Sequence, residues 1–286
     1  VRVLVVGDVA LDVLVTPTAE PVAGADVPAR IRSRPGGAGA NTAAWLAHLG
    51  RDAGIAVTLA ARVGADPAGQ AAAADLAAAG VTAHLTVDPD AATCTVVALL
   101  GEGDRTLLSD RGAAGRLAPE DLPDVTGFDH LHLSGYVLLD GSSRAAGRAA
   151  LAAARAAGLT TSVDPQAAPA LAAPQRAADF LDDVRGVDLL LPNADELDAL
   201  AGTATVLERV GAVAVSAGAT GARWADPALR CAVAAQAVTV VDATGAGDAF
   251  DAGVLVAWLG GAPPAATLAA GCAAGAAAVG RLGARP

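Results

Sequence analysis

The 286-residue sequence contains no lysine: all 19 of its Lys+Arg positions are arginine. A Walker-type P-loop is thereby excluded, because that loop needs its lysine on the phosphates. Catalysis through a lysine Schiff base is excluded on the same ground. Aromatic side chains are scarce, with three Trp, three Phe and one Tyr. The three cysteines, Cys94, Cys231 and Cys272, are isolated and odd in number. They read as reduced core thiols of a cytoplasmic protein rather than a disulfide frame or a zinc site. Positive charge is also short: the net charge is -11, which argues against a nucleic-acid partner. Long runs of Leu, Ile and Phe are missing. The most hydropathic stretch, Ala262–Val279, is built of small residues and carries Pro263 and Pro264, so no membrane span is expected. The first residues form a strand-like run and show no signal peptide, which fits a cytoplasmic location.

What the chain has in excess is alanine, 77 residues in all. Hydrophobic residues make up 53% and charged ones 17%, enough apolar material for a core. The length fits two small domains or one large α/β domain. Strand-like runs are Val3–Val6, Val57–Ala61, His130–Ser134, Thr160–Asp164, Leu189–Pro192, Val213–Ser216 and Val238–Val241. Helical stretches are Thr42–Leu49, Ala68–Ala79, Ser143–Ala157, Ala194–Leu200, Gly247–Leu259 and Pro264–Val279. Their alternation predicts an α/β fold with a mostly parallel central sheet and helices on both faces. Two early extended segments, Leu11–Thr16 and Val27–Arg34, break that rhythm. So does a hairpin of Thr93–Leu100 and Arg105–Asp110 turning at Gly101-Glu102-Gly103-Asp104. Together they are expected to form a small second sheet over the main one. The expected organisation is a single unit spanning 1–286, with the lid segments about 11–34 and 93–111 inserted in it.

The strongest chemical signal is Val238-Thr239-Val240-Val241-Asp242-Ala243-Thr244-Gly245-Ala246-Gly247-Asp248-Ala249-Phe250. It reads as a strand, a small-residue turn and a helix. Gly245, Ala246 and Gly247 leave N–H groups uncovered at the helix start, an anion site made of peptide dipoles. Asp248 sits beside it. A carboxylate there suits a base that takes the proton of a hydroxyl attacking a phosphoryl group; the alternative is an ordinary N-cap. Asp8 and Asp12 follow the first strand four residues apart and could grip vicinal hydroxyls, or simply cap turns. The Pro35-Gly36-Gly37 turn allows close approach to backbone. Asn41 can donate to and accept from hydroxyls, or act as an N-cap.

These motifs resemble the PfkB/ribokinase carbohydrate kinases. Asp242–Asp248 is similar to that family's C-terminal Asp-Thr-Thr-Gly-Ala-Gly-Asp signature, with Ala243 for the commoner Thr. Pro35–Asn41 is similar to its N-terminal Gly-Gly signature. The two lie about 200 residues apart, in family order. The resemblance implies a ribokinase-like fold with a small β-sheet lid and ATP-dependent phosphorylation of a small sugar. Asp248 would be the catalytic base, with Gly245, Ala246 and Gly247 forming the anion hole. Asp8, Asp12, Gly36, Gly37 and Asn41 would bind the substrate.

The resemblance extends to the nucleotide side. Asn193-Ala194-Asp195-Glu196 matches the family's Asn-x-x-Glu motif, linked to Mg²⁺ and phosphate positioning, with Glu196 reaching the metal through water; a plain capping box is the alternative. Ser216-Ala217-Gly218-Ala219-Thr220-Gly221 resembles the segment beside the nucleotide. Ser216, Gly218, Gly221, Asn193 and Thr244 would therefore bind ATP. Family members often hold a monovalent cation such as K⁺ near the equivalent of Asp242 and a C-terminal loop around Gly283. Pro286 follows closely on that loop, which leaves the K⁺ site and adenine-side closure open. Asp164-Pro165 resembles a family pair near the active site, with no catalytic role assigned.

Other features read less specifically. His130 and His132 share a strand face and, with no third ligand nearby, read as core histidines. Arg30, Arg32, Arg34 and Arg111 either solvate the lid edge or recognise an acidic or phosphorylated substrate. Apolar lid residues such as Val97 and Leu99 are expected to be exposed and to pair with a second subunit in a homodimer. A nucleoside acceptor is the alternative within the enzyme class, but the lid segments lack an aromatic to stack a base. A catalytically silent sugar- or nucleotide-binding regulator is the alternative outside it.

Overall fold

The computed structural model describes residues 1–101 and 105–286. In chain order the strands are β1 (Arg2–Val6), β2 (Ala10–Pro17), β3 (Ala29–Gly36), β4 (Ala56–Gly64), β5 (Val81–Asp88), β6 (Cys94–Leu100), β7 (Arg105–Asp110), β8 (His130–Ser134), β9 (Thr160–Asp164), β10 (Leu189–Leu190), β11 (Ala212–Ser216), β12 (Ala222–Ala225) and β13 (Arg230–Val233). The helices are α1 (Ala38–Leu49), α2 (Pro67–Ala78), α3 (Tyr136–Leu139), α4 (Arg144–Ala156), α5 (Ala168–Leu171), α6 (Pro174–Asp183), α7 (Ala194–Ala199), α8 (Gly202–Leu207), α9 (Ala246–Leu259) and α10 (Pro264–Val279).

Among the described residues the strands form two sheets. The larger has the order β13-β12-β11-β10-β9-β8-β1-β4-β5, parallel from β11 to β5 and antiparallel at the β12–β13 end. Alternation along β1 sends Val3 and Val5 to one face and Leu4 and Val6 to the other. The first face packs against α1, α2, α9 and α10, and the second against α4, α6, α7 and α8. Small residues let α9 and α10 lie close: a Cβ on Gly253 would stand 2.6 Å from the Ala270 carbonyl oxygen. Alanine-rich α10 is thus a packed core helix. No helix of the described residues is long and apolar enough to cross a membrane.

The smaller sheet has the order β3-β2-β6-β7. β2 pairs antiparallel with β3 and parallel with β6, and β6 pairs antiparallel with β7. These are the segments that broke the sequence alternation. Except for Gly101, the expected turn 101–104 lies outside the described residues.

Three expectations need correction. Val238–Val241 is not a strand: Val238, Val240 and Val241 are exposed, and the Val241 and Asp242 N–H groups both donate to the Val279 carbonyl. The meander β12–β13, which the sequence reading passed over, takes the sheet edge that this β-branched run would need. Helix α1 begins at Ala38 rather than Thr42, with Gly37 at its N-cap, so Asn41 lies inside the first turn and is no cap. Strand β5 and helix α6 were also unexpected; exposed residues such as Thr82 and His84 hide the strand, whereas α6 does carry a helical apolar face, Ala177, Phe180 and Leu181, behind Pro174.

Candidate active site

The carboxyl ends of β1, β8, β9, β10 and β11 bring together Asp8, Ser134, Asp164, Asn193 and Ser216. Ligands of open α/β sheets bind at such an edge. The N-termini of α1 and α9 point to the same place. Asp8 is buried; its Oδ1 accepts from the Gly39 N–H of α1 at 3.1 Å, and its Oδ2 from Arg111 Nη1 at 3.1 Å. Asp8 therefore neutralises the start of α1 and fastens the end of β7 to β1. The Arg111 guanidinium lies 4.9 Å above the Tyr136 ring. Asp12, half-buried on β2, lies against Gly36, where a Cβ would collide with its carboxylate. Gly37 follows at φ 89°, a conformation that favours glycine.

Asp248 occupies the first turn of α9 and is 9% exposed. Its Oδ2 accepts from Asn41 Nδ2 at 3.0 Å, joining the N-termini of α9 and α1. Burial pushes its carboxyl up to about 7; the Asn41 hydrogen bond opposes that rise, and the nearby Asp8 adds to it. Gly245, at φ 74°, forms the left-handed N-cap of α9, and a Cβ there would overlap Ala284. Gly247 is exposed, with open space where its Cβ would be. Asp242 accepts from the Thr244 N–H at 2.9 Å and the Gly283 N–H at 3.1 Å, which closes the loop ahead of α9.

Asn193 and Glu196 form a complete capping box at the start of α7. The Asn193 N–H and Nδ2 donate to the two Glu196 carboxylate oxygens at 2.9 and 2.7 Å, and the Glu196 N–H returns a bond at 2.9 Å. Glu196 is buried, and that burial pushes it up to about 7. Asp164 and Asp251 are buried carboxyls that lie against each other, and burial raises both well above the ordinary range. Among the described residues Asp251 Oδ2 has no hydrogen-bond partner. Among the described residues no three His, Cys, Asp or Glu side chains are grouped to hold a metal directly. Oxygen donors of this kind are the chemistry that would suit a Mg²⁺ ion keeping most of its waters. Ser216 is bridged to Asn193, and Gly218 and Gly221 shape the turn after β11.

Four residues near this edge had no place in the sequence reading: Tyr136, Gln166, Asp251 and Arg285. Gln166 has φ 73° and donates to Asp164 from its side chain. Its position next to Asp164-Pro165 was the available signal. Asp251 stands three residues after Asp248, on the same helix face. Arg285 donates from Nε to Asn41 Oδ1 at 3.1 Å and from Nη2 to the Gly36 carbonyl at 2.9 Å. His130 and His132 are core residues of β8, both within 2.8 Å of Ser162 Oγ. Arg30, Arg32 and Arg34 are exposed along β3.

A nine-stranded sheet with a four-stranded lid sheet, and a helix N-terminus carrying a buried carboxylate, define a ribokinase-like carbohydrate kinase. The pfkB family carbohydrate kinase model matches residues 2–286. The chain is 34% identical to the ATP-dependent ribose-1-phosphate kinase of Halopiger xanaduensis, covering 100% of this chain and 94% of that one. It is 33% identical to the fructokinase of Klebsiella pneumoniae, over 89% and 83%. A putative ribokinase II of E. coli, solved in complex with ATP and Mg²⁺, matches with a TM-score of 0.87 at 25% identity, over 99% and 94% of the chains. The chain belongs to the PfkB family: it is an ATP-binding phosphotransferase that acts on a sugar or nucleoside.

Proposed function

We propose that this kinase transfers the γ-phosphoryl group of ATP to a hydroxyl of a small sugar, with Asp248 as the base. The observation that carries this reading is the buried Asp248 carboxyl, raised to about 7, in the first turn of α9 and hydrogen-bonded to Asn41. A base poised near neutral pH is partly ionised and still holds its proton usefully. Asp8, Asp12, Gly36, Gly37 and Asn41 orient the acceptor hydroxyl toward Asp248. The N–H groups of Gly245, Ala246 and Gly247 stabilise charge on the transferred group, a role that dipoles must fill in a lysine-free chain. Asn193, Ser216, Gly218, Gly221 and Thr244 hold the nucleotide. Mg²⁺, when bound, neutralises charge on the phosphates; Glu196 anchors one of its waters. Asp242 and the loop at Gly283 form the candidate K⁺ site. The lid sheet closes over the acceptor and excludes water.

A sugar fits better than a nucleoside because the aromatic ring at this edge, Tyr136, already carries the Arg111 guanidinium. The reduced thiols favour a cytoplasmic location. The test is ADP release from Mg-ATP with D-fructose, D-ribose, ribose 1-phosphate, a 2-keto-3-deoxy acid and adenosine, with and without K⁺. Asp248→Asn is expected to lower kcat about 10²–10⁴-fold while calorimetric ATP binding changes little. Near-normal turnover in that variant overturns the assignment of the base.

A further inference from the structure

We propose that Arg285 is a positioning residue for Asp248, acting through the side chain of Asn41. An asparagine amide can turn either its oxygen or its NH₂ toward a neighbour, whereas a guanidinium only donates. Arg285 Nε, 3.1 Å from Asn41 Oδ1, therefore fixes the amide with its oxygen outward. That leaves Nδ2 facing Asp248 Oδ2 at 3.0 Å, the orientation that supports a carboxylate. The opposite rotamer would set oxygen against oxygen at Asp248 and NH₂ against guanidinium at Arg285. Nη2 of the same guanidinium holds the Gly36 carbonyl at 2.9 Å, so one side chain sets both the amide and the turn beside Asp12. The arginine is itself held on its N-terminal side: Trp45 Nε1 donates to the Ala284 carbonyl at 2.9 Å, and the Gly283 N–H donates to Asp242.

The inference takes its functional weight from the reading of Asp248 as base, but its test needs no turnover. The Asp248 carboxyl is followed by ¹³C NMR titration of the full chain, assigned by its loss in Asp248→Asn. The charged and titratable groups around it are Asp8, Asp12, Asp164, Asp251, Glu196, Tyr136, Arg285 and, behind Asp8, Arg111. All of these except Arg285 itself are common to every variant compared. Arg285→Met keeps the apolar stem and removes the donors. It is expected to raise the midpoint by about one unit, the scale of a lost charge-assisted hydrogen bond. Asn41→Ala should give the same rise, the double variant no more, and Arg285→Lys a return of at least half. An unmoved midpoint in Arg285→Met overturns the inference. Additive shifts overturn it too, because they mean that the guanidinium acts by its charge alone. If Asp248→Asn keeps full turnover while the cycle is non-additive, the base assignment fails and the positioning stands.

Discussion

At the scale of single residues, Asp248 links activity and stability to pH in opposite senses. Its carboxyl sits at about 7 in the folded chain against an ordinary 3.8. If it is the base, as proposed, it must be ionised, so kcat/KM should fall about tenfold per unit below pH 7. As a buried acid it holds a proton that the unfolded chain releases between 3.8 and about 7, and stability is lost as pH rises through that window. Asp248→Asn should therefore melt above the wild type at pH 8, by a margin that shrinks toward pH 5; scanning fluorimetry at pH 5, 6.5 and 8 reads this directly. Burial holds His130 and His132 down at about 3, so their contribution runs the other way, lost as pH falls from 6.5 toward 3. The place of Asp248 in the first turn of a helix was legible in the sequence because the turn that precedes it is its neighbour in the chain. Arg285 was not, because its partners Asn41 and Gly36 lie 244 and 249 residues away and no local pattern carries that meeting.

At the scale of elements, the turn before α9 separates two glycines that look alike in sequence. Gly245 needs its left-handed backbone and has Ala284 where a Cβ would go. Gly245→Ala should lose about 1–2 kcal/mol from the conformation alone, and more from the overlap, read as a lowered urea midpoint. Gly247 faces open space, and alanine is favourable inside a helix. Gly247→Ala should keep or raise Tm, yet weaken ATP binding roughly tenfold if the N–H groups beside it form the proposed anion hole. Equal stability loss in both variants would remove the distinction. The same region shows where periodicity misleads. Val238–Val241 has the composition of a strand, yet strand pairing is a contest for an edge, and β13 holds it. The parallel strands β1 and β11 were readable because strands buried on both faces are nearly continuous apolar runs. Strand β5 was not, since residues such as Thr82 and His84 are exposed there.

At the scale of the whole molecule, the lid sheet poses the question of acceptor and assembly. Arg30, Arg32 and Arg34 lie exposed at alternate positions of β3; Val97 and Leu99, expected to be exposed, are half-buried, and Ile31, Leu107 and Leu108 are large apolar residues exposed on the same small sheet. If the acceptor is a neutral sugar, replacing the three arginines with glutamine should leave its KM within about twofold, as for surface changes generally. A KM rise above tenfold would identify an anionic acceptor. Light scattering is expected to give twice the chain mass, with Leu107→Asp and Leu108→Asp returning it to one. The fold class was readable throughout because alternation is a property of the whole chain, whereas the fit of lid to sheet is set by contacts between distant segments. The fastening of residues 283–285 onto Trp45, Asn41 and Gly36 bears also on synthesis. A ribosome delivers β1, β2 and α1 before α9 and α10. Asp248 has no helix until α9 is made, and the Asn41 amide has no anchor until residue 285 follows it. Refolding should accordingly restore far-UV ellipticity before ADP release, because the longest contacts close last.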